Sequence, residues 1–305
     1  MIDPAGLSLN SDCYCWPVNR SKIIEQIVSQ NAHADMQKML SLRPHYFAST
    51  TIFLAPDILS QMKAQIRAIE DVVKLPKYAE FVRNRTPQIQ ASAKTHKTKG
   101  VFMGYDFHIT QDGPRLIEVN TNAGGSFIVN MIEQSVAEKS DDFAKAVLRM
   151  FQNEWWAAGE TTLLKTIAIV DESPPDQYHY PDMCLAKSLL QTQGITTVIT
   201  APEDLQINGG YLYQRDMQID LVYNRLTDFD LSQPVNTLIQ QAYEDGAAII
   251  TPAPHHHALY ADKRNLIALS NNDLLLEFGA SQSQIETLSA IPKTYAVTPA
   301  IAQDL

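Results

Sequence analysis

The stretch GPRLIEVNTNAGGSF, residues 113–127, decides how this chain reads. It follows a run of strand-like alternation, VFMGYDFHIT (101–110), and a turn at Gln111-Asp112-Gly113, so the two runs are predicted to fold back as a β-hairpin. Residues two apart in a strand share a face, which puts Glu118 and Asn120 on one side and Ile117 and Val119 on the other. Gly124, Gly125 and Ser126 come next, ahead of an apolar-periodic run, so the hairpin leads through a glycine loop into a helix start. A carboxylate and an amide oxygen side by side are hard ligands suited to Mg²⁺, which takes one or two protein groups and completes its shell with water and phosphate oxygens. The glycine loop and helix start would offer backbone N–H groups to a neighbouring anion. The plainer alternative is that Glu118 and Asn120 line the solvent face of an ordinary hairpin.

Upstream, apolar positions recur at helical spacing over 20–42 and 57–75, and the polar run 83–100 reads as an exposed connection. Downstream of the glycine loop, two helices are expected, the second ending at Gly159. Short apolar strands then alternate with helices (KTIAIVDES, ITTVIT, IDLVYNRLT and AAIITPA), which argues a parallel sheet with crossovers over roughly 162–255. Two more helical segments and a strand-like run, IPKTYAVTP (291–299), close the sequence. The expected class is α/β: a helical N-terminal part with the β-hairpin over 1–160, a parallel α/β domain over 161–258, which the resemblance given below makes a substrate domain with the hairpin metal-binding, and a further segment over 259–305.

The formal charge of −10 gives the surface no general attraction for a polyanion, so nucleic acid is not an expected partner. No apolar run approaches membrane-span length and the N-terminus does not resemble a secretory signal, which points to the cytoplasm. Cys13, Cys15 and Cys184 are too few and too unevenly spaced for a disulfide framework and read as ordinary thiols. His255, His256 and His257 in an extended stretch would point alternately, so a loop lining the cleft is preferred over a metal site. Trp155 and Trp156 are read as packing and interface residues.

The run GYDFHITQDGPRLIEVNTNAGGSF (104–127) resembles the metal-binding hairpin of eukaryotic-type, circularly permuted glutathione synthetases, which are ATP-grasp ligases. The resemblance implies that Glu118 and Asn120 bind Mg²⁺ and that the loop residues Gly125 and Ser126 bind substrate. It also gives Asp106 to the substrate side, although the family has an arginine just before its aspartate-tyrosine-type pair and the chain reads Met103-Gly104 ahead of Tyr105-Asp106. Further on, IDLVYNRLTDFDL resembles the strand carrying an arginine directed at a substrate carboxylate, which makes Arg225 the catalytic candidate; a surface ion pair with Asp228 or Asp230 is the equal alternative. The segment around Lys263 resembles the place where a lysine opening a helix contacts ATP phosphates.

The resemblance implies a cofactor set of ATP and Mg²⁺, an amino-acid or peptide substrate, and amide formation through an acyl phosphate; a homodimer is allowed. The competing readings are a non-catalytic amino-acid or peptide binding module of the same fold, and an α/β interaction protein unrelated to ATP. Only 42 residues follow Lys263, with one glycine, Gly279, whereas the family carries a glycine-rich lid, a second lysine and another metal-binding carboxylate in a later segment. The expectation is therefore weak ATP binding without turnover, as a fragment of a longer ligase or a form that has lost the chemistry.

Overall fold

The structure, a computed structural model, describes residues 19–30, 35–48, 52–86, 97–136 and 140–297. Cys13 and Cys15 lie outside these residues, and Cys184 is a buried free thiol.

The chain is a mixed α/β protein organised around a four-stranded parallel sheet in the order β4-β3-β8-β9, with β3 Thr166–Val170, β4 Thr196–Thr200, β8 Leu221–Asn224 and β9 Ile249–Thr251. These four strands match the alternating pattern expected over 162–255. Both faces of the sheet are covered, as near-continuous apolar strands require. Ile167, Ile169, Leu221 and Tyr223 face one core, together with the helices α1 (Arg20–Gln30), α2 (Met36–Ser41), α5 (Ser126–Val136), α6 (Asp142–Ala157) and α7 (Tyr180–Thr192). Ala168, Val170, Val222 and Ile250 face the other, with helix α8 (Thr237–Asp245). The crossover β3–α7–β4 runs toward one sheet edge and β8–α8–β9 toward the other, so two crossovers of one hand place their helices on opposite faces. The order reverses between β3 and β8.

A three-stranded antiparallel meander, β5 (Leu205–Asn208), β6 (Tyr211–Gln214) and β7 (Met217–Ile219), covers part of the second face. The sequence reading missed it, although Asn208-Gly209-Gly210 is a hairpin signal.

The predicted hairpin forms from β1 (Gly104–Thr110) and β2 (Gly113–Asn120). It belongs to a separate core: Leu116 and Val119 pack with α3 (Pro56–Val73), α4 (Pro76–Arg85) and the C-terminal helices α10 (Asn265–Leu269), α11 (Asn272–Phe278) and α12 (Gln282–Leu288). Residues before 160 are thus divided between two cores, and residues beyond 258 pack back on the hairpin. Polar groups fix the hairpin's position. Gln65 donates to the Pro114 carbonyl at 2.9 Å, and Glu70 accepts from Tyr105 at 3.0 Å and Tyr260 at 3.3 Å. The buried Glu154 accepts from the amides of Lys99 (2.7 Å) and Gly100 (3.1 Å) and from Thr251 Oγ1 (2.7 Å), tying the lead-in to the hairpin to the end of β9.

Four local expectations are corrected. Ile117 does not share the buried face of Val119: the register runs Asp106 opposite Glu118 and then Phe107 opposite Leu116, so Ile117 is the extra residue of a β-bulge and is exposed. The connection over 83–100 is not uniformly exposed, because α4 extends into it and Thr86 and Thr98 are buried; residues 87–96 lie outside the described residues. His255 and His256 are not extended: Pro254 starts a short helix, α9 (Pro254–His256), continued by a π turn, His257–Ala261. Residues 291–297 have strand-like composition but pair with no strand among the described residues, and Tyr295 and Val297 are exposed; residues 298 and 299 lie outside them.

Candidate functional site

A cleft of about 650 Å³ lies between the free face of β2 and the carboxyl ends of β3 and β8. In open α/β sheets the crevice beyond the strand ends at the order reversal is where ligands bind, because neighbouring crossovers diverge there and leave the strand ends uncovered. Here the residues just past those ends are Asp171 and Arg225. The opposite wall carries Glu118 and Asn120, and Lys263 comes in from the loop before α10. Four of the sequence-predicted residues therefore meet in one space although they come from three distant segments. Asp106, Gly125 and Ser126 are not among the residues lining it.

On the hairpin wall, Glu118 Oε2 and Lys263 Nζ form an ion pair of 2.9 Å. The lysine side chain is 74% exposed and the glutamate 32%. The Lys263 ammonium, bonded to it, holds the Glu118 carboxyl below its usual range. Asp106 stands directly across the strand pair from Glu118, and Asn120 Nδ2 donates to Asp106 Oδ2 at 3.4 Å. Two carboxylates facing each other across a strand pair repel unless a positive group or donor intervenes, and here Lys263 and the Asn120 amide supply it.

On the sheet wall, Arg225 is buried and does not pair with Asp228 or Asp230. Asp228 instead accepts from the amide of Gln233 (2.9 Å) and Asn236 Nδ2 (2.8 Å), and Asp230 accepts from Ser232 Oγ (2.9 Å). Arg225 Nη1 donates to the carbonyls of Asn122 (3.2 Å) and Ala123 (3.1 Å) and to Asn122 Oδ1, and the guanidinium lies 5.4 Å from the Tyr223 ring centre. Asn122 Nδ2 returns two bonds of 3.0 Å to the carbonyls of Arg225 and Leu226. One arm of the arginine thus locks the post-hairpin loop onto the sheet, and Nη2 lies at Gly124. A Cβ at that glycine would stand 2.9 Å from Nη2 and 3.3 Å from the His179 ring, so a residue without a side chain is what lets the two approach.

The helix start expected to cradle an anion is already engaged. Asp182 of α7 accepts from the amides of Gly125 (3.1 Å), Phe127 (3.0 Å) and Ile128 (3.0 Å), so a carboxylate of the chain itself caps α5 from across the fold. Burial pushes the Asp182 carboxyl up, against the opposing pull of the Ile128 and Gly125 amides and of Arg225. The reading that gave these amides to a ligand is corrected accordingly.

Two cleft residues, Asp171 and His179, carry no assignment in the sequence reading, and His257 comes from the stretch read there as lining the cleft. Burial pushes Asp171 up to about 6, moderated by a 2.9 Å bond from the Glu172 amide and by Arg225. Burial holds His179 and His257 below the ordinary imidazole range, disfavouring the charged form of each; His257 stacks on Phe229 at 4.2 Å with the rings 3° from parallel. The loop carrying His179 is held from outside by Arg43, which donates to the carbonyls of Tyr178 and Gln177 at 2.9 Å each. Asp171 was findable, as the first residue beyond a strand at the reversal point.

Among the described residues no group of three or more His, Cys, Asp or Glu side chains could hold a metal ion, and no helix is long and apolar enough to cross a membrane. No protein-family model and no curated protein matches the chain. Among solved structures it is similar to a glutathione synthetase-like effector from Globodera pallida in its apo form, at 17% identity and a TM-score of 0.48, over 79% of this chain and 61% of that one. The chain therefore spans less than two thirds of that structure's length. A TM-score below one half at this identity fixes neither family nor activity.

Proposed function

We propose that the cleft binds a small carboxylate-bearing ligand, an amino acid or peptide, beside Mg²⁺ and nucleotide phosphates, and that its chemistry is ATP-dependent carboxylate–amine ligation. The observation that carries this reading is the convergence of Glu118, Asn120, Arg225 and Lys263 on one cleft at the reversal point of the sheet. The donor set fits Mg²⁺: Glu118 and Asn120 present a carboxylate and an amide oxygen from β2 to the cleft, and two hard protein ligands are the number that leaves room for water and phosphate. When bound, Mg²⁺ neutralises phosphate charge. Lys263 holds phosphate oxygens, and its exposed pair with Glu118 is exchanged for them at small cost, since such pairs are worth about 0.2–1 kcal/mol. Arg225 orients the ligand carboxylate through the Nη2 edge, its Nη1 being committed to the loop. Catalysis in such a site is positioning and charge stabilisation, with no side-chain nucleophile.

A second reading, a binding module without turnover, is favoured by the capped helix start: with Asp182 on the amides of Gly125, Phe127 and Ile128, that anion cradle is closed. One experiment separates the two. The chain is incubated with Mg²⁺, ATP and a panel of amino acids and short peptides, and both thermal stabilisation and ADP release are followed. Substrate-dependent ADP release supports the ligase. Stabilisation by an amino acid or peptide without ADP release supports the module, and neither response sinks both.

A further inference from the structure

At the opposite end of the parallel sheet lies a second groove of about 580 Å³, walled by α6, by the segment before β3 and by the turn before β4. Its floor is apolar. Trp156 is 48% exposed and Leu163 70% exposed, and Leu148, Leu164 and Ile195 join them. The shape is fixed by hydrogen bonds: Gln152 Nε2 and Trp156 Nε1 both donate to the Thr162 carbonyl, at 3.3 and 3.2 Å, and Gln152 Oε1 accepts from the Leu164 amide at 3.0 Å. The groove is thus built before any ligand arrives, and one side chain, Gln152, clasps the loop that forms its wall. Of the two tryptophans read as packing and interface residues, Trp155 is buried in the core and Trp156 is exposed.

Three cations rim this floor. Lys145 and Arg149 are four residues apart on one face of α6, and Lys165 stands at the entry to β3. Among the described residues, none of their side-chain nitrogens is within ion-pair distance of a carboxylate. In a chain of net charge −10, these three cations gather around an exposed tryptophan, with Asp220 beside Lys165, its Oδ2 accepting from the Lys165 amide at 3.0 Å. A volume of this size suits a small molecule.

We propose that this groove is a binding site for a small amphipathic anion, an aromatic or cycloaliphatic body carrying a carboxylate or a similar acidic group. The ring lies against Trp156 and Leu163, and the acid group meets Arg149, Lys165 and Lys145. The site is independent of the cleft at the other sheet end and of any reading of that cleft.

The test is calorimetric titration of the full chain with aryl- and cycloalkyl-carboxylates, 4-phenylbutyrate among them, against the matched alcohols and amines, with 8-anilinonaphthalene-1-sulfonate as fluorescent probe. At least one carboxylate should bind about tenfold tighter than its alcohol, the scale of one charge-assisted contact, and displace the probe. In Arg149→Glu/Lys165→Glu, both exposed positions that leave the fold intact, the preference for the acid should vanish. Trp156→Ala should weaken acid and alcohol alike. The proposal is overturned if no carboxylate binds detectably, if acid, alcohol and amine bind equally, if the double variant binds unchanged, or if the groove takes an acidic peptide that no small anion displaces.

Discussion

On the hairpin wall of the cleft, Glu118 and Lys263 meet as a largely solvent-reached ion pair; on the sheet side, Arg225 and Asp171 line the cleft and Asp182 holds the neighbouring glycine loop, and all three are buried with backbone groups bonded to each. The hairpin charges can change partners cheaply, because water screens them and solvates whatever is released. The sheet-wall charges cannot, because an unmet buried donor or acceptor costs about 1–3 kcal/mol. One wall is therefore suited to exchange ligands and the other to hold a shape. Substitutions on the two walls should separate binding from stability.

The largest effect is expected at Asp182. Asp182→Ala removes the acceptor for three amides and leaves the start of α5 uncapped in the core, so urea denaturation should show a loss of roughly 3–5 kcal/mol. A loss below about 1 kcal/mol would mean that water replaces the carboxylate and that the cap is not structural. Next is Gly124→Ala. The added methyl meets Arg225 Nη2 at 2.9 Å and the His179 ring at 3.3 Å, and the arginine cannot retreat without giving up Asn122 and Ala123. Overpacking of this kind costs about 1–3 kcal/mol, and the same methyl narrows the cleft, so stability and ligand affinity should fall together. If only affinity falls, the sheet wall is softer than its bonding implies.

Asp171 gives the comparison a pH dependence. Its folded value of about 6 lies above the ordinary 3.8, so over that interval the folded state keeps a proton that the unfolded chain has released. Stability from this group is fully present below the unfolded value and is lost as pH rises through about 6. Asp171→Asn keeps an oxygen for the Glu172 amide and cannot ionise, so it should raise stability at pH 7 by about 1–2 kcal/mol and flatten the profile between pH 4 and 6. An unchanged profile would place the carboxylate in better contact with solvent or Arg225 than its burial indicates.

How much of this was legible follows the same division. The hairpin reads directly, since alternation, a Gln-Asp-Gly turn and polar residues two apart are local signals. The four parallel strands read as apolar runs between helices. Ile117 did not, because a bulge is a mismatch between two strands and neither strand contains it alone. Asp182 did not, because its partners lie more than fifty positions away, and nothing around it in YPDMCLAK separates a cap from an ordinary first-turn acid. Arg225 was placed as a candidate, but the commitment of its Nη1 to Asn122 and Ala123 arises only when the post-hairpin loop docks on β8. Exposed chemistry is written in local spacing, whereas buried chemistry is written in contacts between segments.

The smallest effect on stability should come from Glu118→Gln, which makes it the sharpest probe of the exposed wall. Glutamine keeps the length and the polar tip and loses only the charge that meets Lys263, an exposed pair worth about 0.2–1 kcal/mol. Urea midpoints of the two proteins should therefore nearly coincide. The charge also holds the cation in the proposed site, since Asn120 alone is a neutral ligand and Asp106 is already bonded to it. Any stabilisation of the wild type by ATP should require Mg²⁺, and in the variant that requirement should disappear along with most of the stabilisation. Were ATP and Mg²⁺ to stabilise both proteins equally, the cation would have to sit elsewhere, and the pair at 2.9 Å would be no more than a surface contact. A variant that instead lost several kcal/mol without ligand would show that the hairpin wall, like the sheet wall, is held by its charges, and the contrast between the two would collapse.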